Sequence, residues 1–462
     1  MIESELCFKA IKKALSRGGD YCDLFLEERT DTGITLDDGK VEGLTTGLSA
    51  GMGLRIILGT TYLYMYSGDP TPGKLLELAE QMSGAVSAGQ SGNLGELYSP
   101  STRQLSPIRV DPDEIELSEK VDLLKRADAA ARDSSPKISE SLVRYLDYGQ
   151  NVWIAGSDGR FVQDRRVRTR FAVTAIAEEG EQKETGMHGP GRALGWEFFD
   201  EFTPEDIARE ATRIAVLLLD AEYAPQGKMP VVIDNGFGGV IFHEACGHAL
   251  EATAVADDAS VFCGKYGEPI ASEVVSAVDD GTIPNAWGTA NFDDEGEPTR
   301  KNQLIENGVL SSYMIDRLGS IKMEMPVTGS ARRESYRFAP TSRMTNTFIT
   351  NGPHSFDDII GSVDDGLYCA NIGGGSVNPP TTDFNFSVRE AYLIKNGKLD
   401  RPVKGASLIG KGSEILQNIE MVANNLDFNG TGMCGSRSGS IPANVGQPAI
   451  RVSGLVVGGR KG

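Results

Sequence analysis

Two histidines and a glutamate lie close together in the chain, as His243, Glu244 and His248. Only four histidines occur in all 462 residues, so half of them stand in this one segment. Neutral imidazole is a preferred zinc ligand, and a catalytic zinc site takes three protein ligands and keeps one position for water. A neighbouring carboxylate can deprotonate that water. The segment therefore predicts a metal site with both histidines as ligands and Glu244 as the general base.

The spacing of these histidines differs from the familiar zinc-protease pattern H-E-x-x-H. In that pattern the histidines are four residues apart and share one face of a helix. His243 and His248 are five residues apart, which on a regular helix turns one roughly 140° away from the other. The predicted helix over 239–255 must therefore contain a π-bulge or a break to aim both rings at one ion. Gly247 permits either change.

An alternative without a metal is open at this point. The same residues could lie on a partly buried helix with both imidazoles satisfied by hydrogen bonds, and a short motif alone has a high false-positive risk. Cys246, inside the motif, faces away from His243 on a helical wheel and is predicted to belong to the core.

Length and composition indicate a globular chain. At about 150 residues per domain, 462 residues predict two or three domains. A content of 40% hydrophobic and 24% charged residues is typical of folded soluble proteins. The formal net charge of −20 would repel a phosphate backbone, so direct nucleic-acid binding is not expected.

Cysteine spacing and hydropathy favour a soluble cytoplasmic protein. The six cysteines form no C-x-x-C pair, so free thiols in a reducing compartment are expected. The first residues lack the basic and then apolar order of a secretory signal. The apolar run over 214–219 is far shorter than the ~20 residues that cross a bilayer, and no membrane segment is predicted.

The order of apolar patterns predicts an α+β protein, with a helix-and-sheet N-terminal half and a β-rich C-terminal domain that carries the metal-motif helix. We expect an N-terminal α/β-type domain over 1–105, a central helix-and-strand domain over 106–225 and the C-terminal domain over 226–462. Asp38-Gly39 predicts a hairpin turn, and Thr203-Pro204 predicts the start of a helix.

Three other segments have distinctive compositions. Residues 87–116 are rich in Gly, Ser and Pro and predict a linker. Residues 293–298 are charged and contain Gly and Pro, which predicts a mobile loop, either a lid over the site or a solvated surface loop. The run 373–376 is Gly-Gly-Gly-Ser, which lets a backbone approach closely, whether that of a neighbouring strand or of a substrate.

With these features, the chain resembles the TldD/PmbA family of metalloproteases, also called modulators of DNA gyrase, and in particular its TldD branch. The likeness rests on the H-E-x-x-x-H hexapeptide and on further motifs spread over nearly the whole chain. These motifs are Asp38-Gly39-Lys40-Val41-Glu42, Ala331-Arg332-Arg333-Glu334-Ser335-Tyr336, Arg343-Met344-Thr345-Asn346-Thr347, Gly373-Gly374-Gly375-Ser376-Val377-Asn378-Pro379, Glu390-Ala391-Tyr392-Leu393-Ile394, Gly432-Met433-Cys434-Gly435 and Val445-Gly446-Gln447-Pro448. Several ordered motifs together are more specific than the hexapeptide alone.

The resemblance implies a zinc metallopeptidase with one Zn²⁺ per chain. Its ligands would be His243, His248 and Cys434, and Glu244 would be the base; on residues alone, Cys434 would be interpreted as a free buried cysteine. Family members act on unfolded peptides, including leader segments of modified bacterial peptides, and the strands over 370–395 suggest binding as an extended strand. The resemblance also implies a dimer, either a homodimer or a heterodimer with a TldE/PmbA-type subunit that lacks the zinc motif.

Six further residues are candidates for supporting roles. Substrate contacts are predicted at Arg332, Arg333, Tyr336, Gly374 and Gly375, and a hydrogen bond that orients an imidazole is predicted at Glu251. The arginines and the tyrosine could stabilise an oxyanion or hold a peptide carboxylate. Ion pairing within the protein is the alternative for at least one arginine, and a solvent-facing helix charge is the alternative for Glu251.

Two functions are therefore compared. The first is a zinc-dependent peptidase that hydrolyses unfolded or extended peptides. The second is a non-enzymatic partner-binding or regulatory protein with a structural zinc. A structural site would fill its fourth position with a protein ligand, whereas two histidines and one cysteine leave that position for water.

Overall fold

The computed structural model describes residues 3–86, 92–101, 104–378 and 381–459. The predicted linker lies partly outside these ranges, and Pro379 of the glycine-rich motif lies outside them as well. Helices and strands are mixed, and strands dominate the C-terminal part. The predicted α+β class is confirmed. None of the described helices is long and apolar enough to cross a membrane.

One antiparallel sheet extends through the N-terminal half. Its strands are β1 (Tyr21–Asp37), β2 (Lys40–Leu58), β3 (Thr61–Ser67), β4 (Ile138–Gly156), β5 (Phe161–Glu179), β6 (Gln182–His188) and β7 (Gly191–Arg192). The spatial order is β3-β2-β1-β4-β5-β6, and β7 also pairs with β5. The pairing of β1 with β4 runs from Asp23 opposite Gly156 to Asp37 opposite Leu142. Strands from both predicted N-terminal domains therefore share one sheet.

Helices pack on this sheet in two groups. They are α1 (Ser4–Ala14), α2 (Pro72–Ala85), α3 (Leu117–Ser134), α4 (Phe198–Glu201) and α5 (Pro204–Leu219). Apolar residues of α1 and α2, such as Ile11, form a core with Leu24 of β1. Apolar residues of α3 and α5, such as Leu124 and Ile207, form a second core with Phe171 of β5.

Two local predictions are confirmed in this half. Asp38 and Gly39, with φ of 47° and 75°, connect β1 to β2 in the left-handed conformation that tight hairpins need. The Thr203 hydroxyl accepts a hydrogen bond from the Asp206 backbone N–H at 3.2 Å, and Pro204 is the first residue of α5. Both signals are local, so the sequence alone was sufficient to read them.

The C-terminal part contains two larger sheets and a short hairpin. In spatial order, the first sheet contains β12 (Val309–Leu310), β11 (Lys301–Glu306), β10 (Ala277–Asp280), β15 (Asn346–Ile349), β22 (Gly439–Gln447) and β21 (Asp427–Ser436). The second contains β16 (Asp365–Asn378), β9 (Gly227–Gly236), β23 (Ile450–Gly458), β19 (Ser407–Lys411), β17 (Asp383–Lys395), β18 (Lys398–Lys404) and β8 (Glu222–Tyr223), with β20 (Ile419–Val422) beside β23. The hairpin is β13 (Ala331–Arg332) with β14 (Thr341–Ser342). Because β16 also pairs with β17, strands β16, β9, β23, β19 and β17 form a closed ring.

Short helices connect these strands. They are α6 (Val240–Ala245), α7 (Ala252–Val255), α8 (Arg317–Met323), α9 (Phe356–Gly361) and α10 (Gly412–Ile415), with 3₁₀ turns at Gly247–Leu250 and Leu416–Asn418; the N-terminal half has 3₁₀ turns at Leu15–Arg17 and Pro112–Glu114. The residues Ile241, Phe242 and Ala245 place α6 in the largest hydrophobic core of the molecule. This core fixes the helix that carries the first half of the candidate metal site.

The acidic segment 293–298 is a correction to the sequence analysis. Asp293, Asp294 and Glu295 are buried, so neither the lid nor the solvated loop is right. Glu295 accepts a hydrogen bond from Arg55 of β2 at 2.6 Å, and Asp294 accepts one from Arg166 of β5 at 2.7 Å. The segment therefore joins the N-terminal sheet to the C-terminal part. Its partners lie more than a hundred residues away in the chain, which is why the charges looked solvated.

We expect Arg55→Met to lower the free energy of unfolding by about 3–5 kcal/mol, because Asp23 and Glu295 would both remain buried without their cation. The measurement is urea denaturation. The matched control is Arg126→Met, whose exposed pair with Glu205 should be worth only about 0–1 kcal/mol. A similar small loss in both variants would contradict the assigned role of Arg55.

Candidate metal centre

The predicted helix over 239–255 is interrupted at Cys246. α6 ends at Ala245, Cys246 has φ −130° and ψ −47°, and the 3₁₀ turn Gly247–Leu250 follows. Of the two ways to accommodate the five-residue spacing, the structure therefore uses a break, not a π-bulge. The break brings the rings of His243 and His248 together, with centroids 5.1 Å apart and planes at 82°.

Gly247 is needed here for space. A Cβ atom built on it would lie 2.3 Å from the Sδ atom of Met344, which is far inside van der Waals contact. Met344 is itself fully buried, so it has little room to move. The glycine therefore allows the turn after the break to pack directly on the segment that precedes β15.

Cys434 reaches the two histidines from β21. Its Sγ atom lies 3.2 Å from Nε2 of His243 and 3.2 Å from Nε2 of His248. The three ligand atoms all lie within 4.8 Å of one another. β21 holds the cysteine by pairing with β22, where Cys434 stands opposite Ile441. Residues almost two hundred positions apart in the chain thus meet in one cluster.

The imidazoles favour the thiolate form of Cys434. Burial alone would raise the pKa of this thiol, but His243 and then His248 lower it to about 3. Two buried thiols outside the cluster behave differently: burial raises the pKa of both Cys246 and Cys369. Since the thiolate is the form that binds metals, Cys434 stands in the chemical state that a metal ligand requires.

Glu251 and Arg343 hold the second ring nitrogen of His248 in place. Glu251 is buried and its Oε1 lies 3.1 Å from Nδ1 of His248. Arg343, also buried, has its Nε 3.7 Å from the same oxygen and donates to the Cys434 carbonyl at 2.5 Å. By contrast, Nδ1 of His243 is buried without a hydrogen-bond partner among the described residues. The orienting contacts therefore act on His248 and on the backbone of Cys434.

Glu244 lies on the open side of the cluster. Its Oε2 is 3.8 Å from Nε2 of His248, and 32% of its side chain is exposed. It is thus close to the ligand atoms and still reachable by water. This is the position that a base acting on a water molecule between the protein and a substrate requires.

The residues present fit a zinc ion. Two imidazole nitrogens and one thiolate are a donor set that zinc accepts, with one position left for water or substrate. His243 and Cys434 are buried and His248 is half-buried, and the nearest described charged neighbours of the donors include the carboxylates of Glu244 and Glu251. The chemistry of the cluster thus agrees with what the sequence predicts for a metal site.

Comparison with known proteins then decides the family. A PmbA/TldA metallopeptidase C-terminal domain matches residues 226–459, a central domain of that family matches 110–219, and its domain 1 matches 22–87. The Metalloprotease TldD homolog of Haemophilus influenzae is 37% identical over 96% of this chain and 94% of its own. The chain belongs to the PmbA/TldD metallopeptidase family. The family resemblance found in the sequence is confirmed.

Other relatives agree with this assignment. The Metalloprotease TldD homolog of Buchnera aphidicola is 35% identical over 99% of this chain and 96% of its own. A Thermotoga maritima structure, described as a modulator of DNA gyrase, has a TM-score of 0.79 and 20% identity, covering 95% of this chain and 96% of that one. TldE from Thermococcus kodakarensis has a TM-score of 0.77 and 20% identity, covering 98% and 99%. At this identity the two structures show the shared fold alone.

The three residues of the 331–336 motif that are predicted to contact substrate, Arg332, Arg333 and Tyr336, lie between the N-terminal sheet and the C-terminal part. Arg332 donates to the carbonyls of Met344 and Pro442 at 2.7 and 2.6 Å. Burial, then the nearby arginines, lower its pKa to about 10. Arg333 donates to the Asp294 carbonyl at 3.0 Å and lies 3.7 Å from Asp23.

Tyr336 is fixed in the same region. Its backbone N–H donates to Glu27 at 2.8 Å, and its ring packs in a small core with Phe25. All three side chains are buried. They hold the molecule together where they lie, and their contact with a substrate stays a prediction.

The glycines of the 373–376 run divide into two kinds. A Cβ on Gly375 would lie 2.3 Å from the ring of Phe386 in β17, so this glycine allows close approach of a neighbouring strand. Gly374 has no atom within 4 Å of such a Cβ and its carbonyl accepts from Ser387 at 2.8 Å. Gly374 is therefore the member of the run with space beside it, and a role in substrate binding stays a prediction for both glycines.

Two residues near the site were not assigned a role from the sequence, Arg343 and Trp287. Arg343 stands in a quoted motif, but its link to both Glu251 and Cys434 depends on the fold. Trp287 donates from Nε1 to the carbonyl of Gly432 at 2.9 Å, on the same strand as Cys434. Together they position β21, and the only signal available in the sequence was that Arg343 stands in a motif.

We expect zinc affinity to fall as the pH falls, by about tenfold per unit around neutrality, because the metal must displace protons. Burial alone would lower the pKa of His248, but Glu251 and the Cys434 thiolate outweigh it, so this pKa is raised well above its ordinary value. Below that pKa, His248 holds a proton that the ion has to remove. Equilibrium dialysis with a zinc buffer from pH 8 to pH 5 measures this. A flat profile would contradict proton competition at this cluster.

Proposed function

We propose that this protein is a zinc-dependent peptidase of the H-E-x-x-x-H type that hydrolyses unfolded or extended peptides. The observation that carries the proposal is the cluster of His243, His248 and Cys434, with Glu244 beside it on the open side. Membership of a metallopeptidase family supports the same reaction class. A purely structural site would not require a partly exposed carboxylate next to an incomplete set of ligands.

One zinc ion per chain would be held by His243, His248 and Cys434. When bound, the ion supplies Lewis acidity that polarises a carbonyl group and lowers the pKa of water to roughly 7. Glu244 takes the proton from the attacking water and returns it to the leaving amine as the peptide bond breaks. Glu251 keeps the ring of His248 in one orientation by accepting a hydrogen bond at Nδ1.

Burial of the cluster supports a preference for unfolded substrates. His243 and Cys434 are buried, and only Glu244 of the reacting groups is substantially exposed. A peptide bond inside a folded domain does not reach such a recess, whereas an extended chain does. Trimming of leader segments from modified peptides is one reaction of this kind.

The strands over 370–395 still offer a place for strand addition. β17 pairs on both sides, with β16 on one and with β18 and β19 on the other. β16 pairs with β9 only over Leu367–Asn371, so its glycine-rich end over 372–378 has β17 on one side and no described strand on the other. We keep this edge as the proposed place where a substrate binds as an added strand. We also propose a cytoplasmic dimer, either of two copies or with a TldE/PmbA-type subunit.

The test combines metal analysis with hydrolysis. Purified protein should contain zinc at about one ion per chain, and it should cut a reduced and alkylated protein much faster than the same protein in its folded form. Chelation should abolish cutting and zinc should restore it. If the protein contains zinc but hydrolyses none of the tested substrates, the result would favour the non-enzymatic role with a structural zinc. Equal cutting of folded and unfolded forms would contradict the substrate preference.

A further inference from the structure

A cavity lies between the N-terminal sheet and the C-terminal part. Its volume is about 330 Å³. Arg170 of β5 and His188 of β6 line it on one side, and Asn371 of β16 and Arg389 of β17 line it on the other. None of these four residues belongs to the metal cluster. The cavity therefore has its own set of polar groups.

Two arginines of this cavity lack a counter-ion. Neither Arg170 nor Arg389 forms an ion pair or a side-chain hydrogen bond with any residue in the described ranges, and the Nε of Arg170 is fully buried. Burial and then the charge of Arg389 lower the pKa of Arg170, and burial lowers that of Arg389. Two half-buried cations next to each other are costly unless an anion joins them. The buried Oδ1 of Asn371 also lacks a hydrogen-bond partner in the part of the chain described.

The carboxylates of the cavity do not neutralise these arginines. Glu210 and Glu390 both line it, but each is bonded to Arg213, at 2.8 and 2.7 Å. Glu390 also accepts a hydrogen bond from Tyr392 at 2.7 Å. The charges of Glu210 and Glu390 are therefore directed at Arg213, and the positive charge of the other two arginines is open to a ligand.

The cavity adjoins the segments that carry the metal cluster. Phe237 lines it and lies just ahead of α6, which contains His243. Thr431 lines it and stands three residues before Cys434 on β21, a step of roughly 10 Å at about 3.3 Å per residue. The cavity and the metal cluster therefore adjoin the same two segments of the chain.

We propose that this cavity binds a carboxylate of the peptide substrate between Arg170 and Arg389. Two guanidinium groups offer paired N–H donors that match the two oxygens of a carboxylate. The unpaired Asn371 Oδ1 is an acceptor for a peptide N–H of the same ligand. Large polyanions fit poorly, because the chain carries a formal net charge of −20. The proposal rests on the proposed peptidase function and adds a carboxylate subsite to it.

The test measures binding apart from cleavage. The probes are four fluorescein-labelled peptides of one unstructured sequence: with a free C-terminus, with a C-terminal amide, and two amides that carry one internal Glu or the matching Gln. Their affinities for the zinc-loaded Glu244→Gln protein are measured by fluorescence anisotropy. We expect at least one carboxylate peptide to bind about tenfold or more tightly than its neutral partner, as paired charge-assisted hydrogen bonds predict. The peptide that shows this preference tells whether the terminal or a side-chain carboxylate is bound.

Arginine variants then assign the preference to the cavity. Arg389→Gln should reduce the preference for the carboxylate peptide to about twofold or less. Arg170→Gln should have the same effect and replaces Arg389→Gln in the test if that variant does not fold. The control is Arg401→Gln, an exposed arginine of β18 paired with Glu222, which should keep the preference. Equal binding of all four peptides, or a preference that survives both variants, would overturn the proposal. Selective binding without any cleavage by the wild type would instead contradict the peptidase function and leave the subsite in place.

Discussion

Glu244→Gln is expected to keep its zinc and to lose hydrolysis by roughly 10²-fold or more, the usual scale of general-base catalysis. Glutamine has nearly the same shape and still forms hydrogen bonds, but it does not accept the proton of the attacking water. The carboxylate lies 3.8 Å from Nε2 of His248 and outside the group of three donors, so its loss should not release the metal. Zinc content and peptide turnover are measured on the same preparation.

A surface glutamate provides the control for Glu244→Gln. Glu268 pairs with Lys265 in an exposed position, and Glu268→Gln changes the net charge by the same amount. This variant should retain wild-type turnover. Near-normal turnover of zinc-loaded Glu244→Gln would remove the residue from the role of base, and a loss of zinc together with activity would show that the carboxylate acts on the metal.

Cys434→Ser is expected to lower zinc affinity and activity together. The thiolate is the only anionic donor of the cluster, and its Sγ lies 3.2 Å from both imidazole Nε2 atoms. A serine hydroxyl at this place carries no charge and is a harder, weaker ligand for zinc than a thiolate. Two histidines alone leave two positions open, so added zinc should restore activity only in part. The measurement is a competition titration against a chelator of known affinity.

Two other cysteines serve as controls for Cys434→Ser. The thiol of Cys246 donates to the Gly412 carbonyl at 3.6 Å, and that of Cys263 donates to the Val255 carbonyl at 3.5 Å. Neither belongs to the cluster, so Cys246→Ser and Cys263→Ser should keep wild-type zinc affinity. If Cys434→Ser has unchanged affinity, the third ligand has to be sought at Glu251, because the acidic segment 293–298 is already engaged by arginines.

The candidate site could be predicted from the sequence to a large extent. The histidines and Glu244 stand in one short motif, and family resemblance supplied Cys434, which no spacing rule links to the motif. The Asp38-Gly39 turn and the Thr203 cap could be predicted because each depends on the interactions of only a few neighbouring residues.

Features that depend on distant partners could not be predicted. The sequence left a break and a π-bulge both open, and the turn around Gly247 packs on Met344, a contact between segments about a hundred residues apart. Burial of Asp293, Asp294 and Glu295 depends on Arg55 and Arg166. A charged segment with a glycine and a proline has the composition of a loop. Nothing in its own residues indicates that its carboxylates will be buried against two arginines from distant strands.

The pairing of β1 with β4 also affects how the chain is made. Asp23 pairs with Gly156 and Asp37 pairs with Leu142, so this ladder forms only after residues 142–156 have been synthesised. Non-local pairing of this kind slows folding, because a long loop must be closed before any contact is gained. During synthesis at about 5–20 residues per second, the free side of β1 stays open for several seconds after it leaves the ribosome. An unpaired edge is a template for strands of other chains, so we expect a holdase chaperone that covers the nascent N-terminal hairpin to raise the yield of folded protein.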